Sequence, residues 1–293
     1  MIHKILFLQL VLLCGCLVSS FSQPGSEHKM DERMGEIKKD KTVDAFGSSR
    51  LIYGRSAQTT RAGNLDLRIS HRFGRLREGI DDWFGLDTAF VRIGLDYGIT
   101  DRLMVGFGRS KMDKELDLSV AYKMLEQSET MPVTLSLYGG VMVNTLKMSG
   151  QDYDFGDRLS TIFQVLVARR FLDRFTIQVA PVWVYNDRVP TADDDHHIFS
   201  VGLGGQVRIL KRLSMNVEYY PVFSGSKYHG TVSPLAVGVD IQTWGHVFQF
   251  FVGNSMAPNE HLSLIRTTDK WEKGQIHFGF NLLRRFPIAS KRP

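Results

Sequence analysis

Cysteine is nearly missing from this chain of 293 residues, which has only Cys14 and Cys16. Both fall in an N-terminal stretch that reads as a secretory leader. The mature chain would therefore offer no disulfide, no thiolate zinc site and no cysteine nucleophile. Long apolar runs are missing too. Beyond the leader no stretch approaches the roughly 18 consecutive apolar residues that a membrane-crossing helix needs. GxSxG, HExxH, a phosphate-cradling glycine loop and a dinucleotide fingerprint are all absent, which removes the familiar routes to an enzyme. Charge of one sign is also scarce, at a formal +5. The basic residues are dispersed and not gathered with stacking aromatics, which argues against nucleic acid as a partner.

The leader has Lys4 as its positive end, an apolar stretch over 5–18, and Ser20 and Ser22 placed for cleavage before Gln23. Residues 1–22 are thus expected to be a signal peptide. A rival reading takes Leu13-Cys14-Gly15-Cys16 as a lipoprotein signal acylated at Cys16. Residues 23–48 are polar and alternate in charge, as in a flexible periplasmic segment.

From residue 49 to 286 the dominant period is two. In 64–73, Leu65, Leu67, Ile69 and Phe73 share one face while Asp66, Arg68, Ser70 and Arg72 share the other. The same alternation returns near 89–97, 103–107 and 116–123, then over 132–146, 158–172, 174–186, 197–210, 212–223, 234–243, 246–254 and 275–286. About ten alternating residues is the length and period of a tilted strand crossing a bilayer. The pattern predicts an all-β fold, an antiparallel transmembrane β-barrel of about twelve strands, with ten to fourteen as the range. Short and long connections largely alternate, as in barrels with tight periplasmic turns and longer extracellular loops. Twelve strands require residues 50–58 to lie outside the wall, tucked at the periplasmic mouth, and 261–268 to belong to the last outer loop. Tyr97, Trp183, Tyr185, Tyr219, Tyr220, Trp244 and Phe286 sit near strand ends, where interfacial rings belong. Mean hydropathy of −0.13 is consistent with strands that alternate apolar and polar residues.

Ile69-Ser70-His71-Arg72-Phe73-Gly74 and Phe84-Gly85-Leu86-Asp87 resemble successive signatures of one uncharacterised outer-membrane β-barrel family of Gram-negative bacteria. The segments 92–95, 97–101, 105–110, 245–249 and 276–281 continue the resemblance, which covers roughly residues 45–286. It implies a barrel in the outer membrane, with no established activity, ligand or catalytic residue. One departure concerns the end of the chain. Phe286, the aromatic residue expected to be read by the barrel-assembly machinery, is followed by a tail, residues 287–293.

The inner face predicted by the alternation carries Asp66, Arg68, Arg72, Arg92, Asp96, Asp117, Lys123, Arg158, Arg170, Arg208, Glu218 and Asp240. Such charges either neutralise one another in a closed lumen or line a watery path that favours anions. Asp193-Asp194-Asp195-His196-His197 invites a metal, with Asp194, His196 and His197 as weak candidates. Adjacent residues on one loop rarely converge on one ion, so a solvated acidic loop is the simpler reading. Ser70 and His71 point to opposite faces and cannot form a catalytic pair. Ser70 with His277 across the closing strands is the remaining enzymatic option, a lipid hydrolase or acyltransferase. No cofactor is called for. The expected partners are outer-membrane lipid, the assembly machinery and a periplasmic partner bound through 23–48. Three roles stay open: a channel or transporter for small solutes, a closed structural or docking barrel, and, least favoured, a lipid-acting enzyme.

Overall fold

The computed structural model describes residues 42–146, 155–187, 189, 194–224 and 230–288. The expectations for the leader, Cys16, residues 23–41, Asp193 and most of the C-terminal tail lie outside the described residues.

Alternating apolar and polar side chains build one antiparallel sheet. Its first half comprises β1 (Asn64–Arg75), β2 (Ala89–Gly98), β3 (Leu103–Ser110), β4 (Glu115–Leu125), β5 (Thr134–Asn144) and β6 (Leu159–Phe171). Next come β7 (Phe175–Asn186), β8 (His197–Leu210), β9 (Leu213–Tyr219), β10 (Val222–Ser224), β11 (Leu235–Gln242), β12 (His246–Gly253) and β13 (His277–Pro287). Each strand pairs with its sequence neighbour as far as β9, which pairs with β11, and β13 returns to β1. The sheet therefore closes and leaves no unpaired edge, the condition for crossing a bilayer with strands.

β9 and β10 are two parts of one wall strand. Both run along β8, and the break falls at Tyr220-Pro221, where proline has no N–H for the ladder. Counted this way the wall has twelve strands.

The pleat sorts the side chains as the sequence predicts. Along β1, Asp66, Arg68, Ser70 and Arg72 are buried inside. Facing outward and exposed are Ile93, Leu95, Phe107, Leu118, Phe163, Ile177, Val179, Phe199, Val217 and Phe248, among others. Water would penalise that outer surface by about 1.5–3 kcal/mol for each such side chain, whereas lipid does not. Trp244 is exposed at a turn, but Tyr220 departs from the girdle expectation. It points inward and is buried, with its hydroxyl on Glu218. No helix among the described residues is long and apolar enough to cross a membrane.

One expectation about the lumen needs correction. Residues 50–58 do not sit at the mouth; they run inside the barrel as a hairpin finger. Leu51 N donates to Gly54 O and Ser56 N to Ser49 O, with Arg50 opposite Arg55 and the tip at Ile52-Tyr53. The finger enters at the short-turn end, where Val43 N donates to Gln127 O and Thr59 Oγ1 to Asp101 O. Ala45 and Phe46, ahead of it, are already buried. The last long loop likewise folds inward. Its helix α1 (Glu260–Arg266), capped by Asn259 accepting from Leu262 N, is buried from Glu260 to Ile265.

Alternation alone could not reveal either insertion, because neither segment belongs to the wall. A further signal lay in the strands themselves. β5 to β7 carry apolar residues on the inner face as well, and their inward Tyr138, Met142, Ile162, Leu166 and Val184 pack in one apolar core that also includes Leu262 and Leu264 of the helix. An open watery lumen has no use for such a core.

Candidate functional site

The strongest candidate is the set of wall groups that grip the finger. At the tip, the carboxylate of Glu218 on β9 accepts Ile52 N (2.9 Å), Tyr53 N (2.6 Å) and Gly54 N (3.0 Å), together with the Tyr220 hydroxyl at 3.0 Å. Three consecutive N–H groups closing on one anion form a backbone nest. Gly54 is required there, since a Cβ would collide with the Tyr220 hydroxyl and press on Glu218. The carbonyl of Ile52 points the other way and accepts from Arg68, Arg72 and Asn281 at 3.3 Å each. Tyr53 stands edge-on to Phe251, and Arg72 lies over both rings. Burial pushes the Tyr53 phenol well above its ordinary range, so it stays neutral and donates to Ser255 O at 3.3 Å.

Along the stem, Gln178 uses both ends of its amide, accepting from Ala57 N (2.7 Å) and donating to Arg55 O (2.8 Å). Ser136 donates to Ala57 O, Thr176 to Ala45 O and Arg170 to Asp44 O.

The finger's own cations complete the site. Arg55 donates to Asp96 (2.9 Å) and Ser119 (2.9 Å), and lies over the Tyr138 ring. Gly106 leaves the room that its guanidinium fills. Arg50 reaches Asp96 at 3.5 Å and Glu260 of the helix at 3.0 Å, while Arg55 Nε lies 3.8 Å from Glu260. Insertions from opposite ends of the barrel thus share one ion cluster. Burial disfavours the charge on Arg55, but Asp96, Tyr138 and Glu260 together outweigh burial and hold its pKa above the ordinary value. Such buried charges persist only when paired, because an ion buried alone costs several kcal/mol.

The twelve charges expected on the inner face divide into groups. Asp66, Arg68, Arg72, Arg92, Asp96, Asp117, Lys123 and Glu218 are buried. Arg92 pairs with Asp117 at 2.6 Å, Asp66 with Arg285 at 2.7 Å, and Lys123 with Glu126 at 2.7 Å. Asp240 and Arg208 are half-buried beside a recess at the root of the finger, near Phe46 and Gly47. Arg158 needs correction, since it lies in a 3-10 turn ahead of β6 and donates to Leu146 O at the rim.

The uncharged readers Gln178, Ser136, Thr176 and Asn281 were not among the expected lumen residues. Their inward register was the available signal.

The other candidates do not assemble. Ser70 aligns with Asn281, four residues along β13 from His277, and its hydroxyl has no hydrogen-bond partner among the described residues. His277 is engaged at both ring nitrogens, by Phe73 O and Asp269. His196 meets Asn186 O, and His197 accepts from the Trp183 indole. No three His, Cys, Asp or Glu side chains gather to hold an ion among the described residues.

A family model described as a membrane bound beta barrel domain of unknown function (DUF5777) matches residues 46–286. The chain belongs to this family. The match begins at Phe46, so the domain of this family includes the finger as well as the wall. No curated protein matches the chain. Among solved structures, the NanC porin is similar with a TM-score of 0.48 and 8% identity, over 75% of this chain and 97% of that one. The KdgM porin gives 0.47 and 9% over 76% and 99%. Outer membrane protein Omp33 of Acinetobacter baumannii gives 0.41 and 10% over 76% and 98%.

Proposed function

We propose that this DUF5777 barrel is an outer-membrane protein that is closed at rest and acts by docking a partner, not as an open diffusion pore. One observation carries the reading. The finger and helix α1 enter from opposite ends and meet at Glu260, so the path through the wall is filled with protein. The chain leading to the finger leaves the lumen at Val43 beside the short turn after β4. That end is the periplasmic side if the barrel is oriented as its short turns suggest. Purified protein in a planar bilayer is expected to be electrically silent. Steady open steps from the intact chain would refute the closed reading.

A gated channel is the second reading, favoured by the wall beneath the finger. There Gln206, Asn216, Asp240, Gln249, Asn281 and Arg68 form a continuous chain of polar contacts. Those groups would line a hydrated path if the finger withdrew. Conductance that appears only on finger removal supports gating, and a finger-free barrel that stays silent removes it.

A further inference from the structure

The wall holds the finger largely by its main chain. Glu218 takes three consecutive N–H groups, Gln178 reads one carbonyl and one N–H, and Ser136 and Thr176 each donate to a carbonyl. Peptide groups are the same in every polypeptide, so apart from the place of Gly54, which admits no Cβ, these sockets do not depend on the finger's sequence. What does depend on it is a pair of cations. Arg50 and Arg55 face each other across the hairpin and neutralise Asp96 and Glu260. Without the finger, Asp96, Glu218 and Glu260 would face the lumen together. Of the wall arginines, Arg92 is committed to Asp117 through two hydrogen bonds, and Arg68 and Arg72, which hold Ile52 O, can balance only two of these three carboxylates. The vacated site would thus combine main-chain readers with an excess of carboxylate.

We propose that the lumen is a binding site for an extended cationic polypeptide segment, occupied at rest by the chain's own finger as a stand-in. A segment of that chemistry arriving from the short-turn end displaces the finger and docks in its place. This rests on the closed-barrel reading and supplies its partner class.

The test uses the full chain with Cys14 and Cys16 replaced by serine and with Ser49→Cys as the only thiol. Ser49 is buried in the finger, so its labelling by a maleimide reports finger departure. Five probes are added separately. They are a peptide of residues 44–60, a shuffled peptide that keeps arginine at the places of Arg50 and Arg55 and glycine at that of Gly54, and the shuffled peptide with both arginines changed to glutamate. The others are the 44–60 peptide N-methylated at the Tyr53 amide, and spermidine. The first two are expected to speed labelling to a similar degree, about tenfold or more. The N-methylated and glutamate peptides lose that effect, because one charge-assisted hydrogen bond is worth about 1.5–3 kcal/mol, at least a tenfold change in affinity. Activity of the authentic sequence alone would reduce the finger to a dedicated plug. Equal activity of spermidine would make the site a simple cation sink, and no effect from any peptide would also overturn the proposal. Direct calorimetry of the 44–60 peptide on a barrel lacking residues 49–58 is the second measurement. Failure to bind a folded, vacated barrel overturns the proposal even if the resident finger outcompetes added peptide. Resting conductance would instead defeat the closed reading, so the two failures are distinguishable.

Discussion

The carboxylate of Glu218 accepts the main-chain N–H of Tyr53 at 2.6 Å, the shortest of three such bonds at the finger tip. Glu218→Ala leaves those three donors without their acceptor. Each unsatisfied buried donor costs about 1–3 kcal/mol, so the tip should detach before the wall unfolds. Hydrogen exchange at residues 51–54 is expected to accelerate by at least tenfold, with the strand amides unchanged. Unchanged exchange at the tip would show that Glu218 is not its anchor.

Gly54 fits only because it has no Cβ. Gly54→Ala is expected to weaken the finger, and Tyr220→Phe in the same chain to recover part of the loss by removing the colliding oxygen. Protease sensitivity of the finger is the readout. Equal sensitivity of the single and double variants would contradict the packing described.

Glu260 links the finger to helix α1 through Arg50 and Arg55. Coupling of this kind is reciprocal. Glu260→Gln should raise exchange both in the helix and in the finger, and the effects of Glu260→Gln and Arg55→Gln should be strongly non-additive. Additive effects would mean that the two insertions are held independently.

At the long-loop end, Asp269 accepts from Arg75 at 2.7 and 3.0 Å and from His277 at 2.6 Å. Burial alone would raise its carboxyl pKa, but the hydrogen bonds from Arg75 and His277 outweigh burial and hold it below the usual carboxylate range. A depressed carboxylate stabilises the folded loop fully above its unfolded pKa of about 3.9, and the contribution fades as pH falls through the lower folded value. Proteolysis of the 255–274 loop should therefore be insensitive to pH between about 5 and 7 and should rise below about pH 4. Asp269→Asn should remove that acid-dependent rise.

The wall was legible because its physics is periodic. Leu65, Leu67 and Ile69 face lipid while Asp66, Arg68 and Ser70 face the lumen, and a one-residue slip would invert them all. The contents of the lumen obey no such period. Arg50 and Arg55 look like any charges in a short irregular segment, and their counterions Asp96 and Glu260 lie 46 and 210 residues away from Arg50 in sequence. Glu218 and Arg68 could be placed on the inner face from alternation, but the backbone groups they bind could not. The apolar inner residues of β5 to β7 were the overlooked hint, since Leu166 and Val184 need a partner that only an insertion into the lumen can provide.

Conductance of the intact protein beside a variant lacking residues 49–58 tests the plugged lumen most directly. The predicted result is a silent intact barrel, with the finger as the seal at the short-turn end. Stable open steps from the intact barrel, unchanged by deleting the finger, would contradict it.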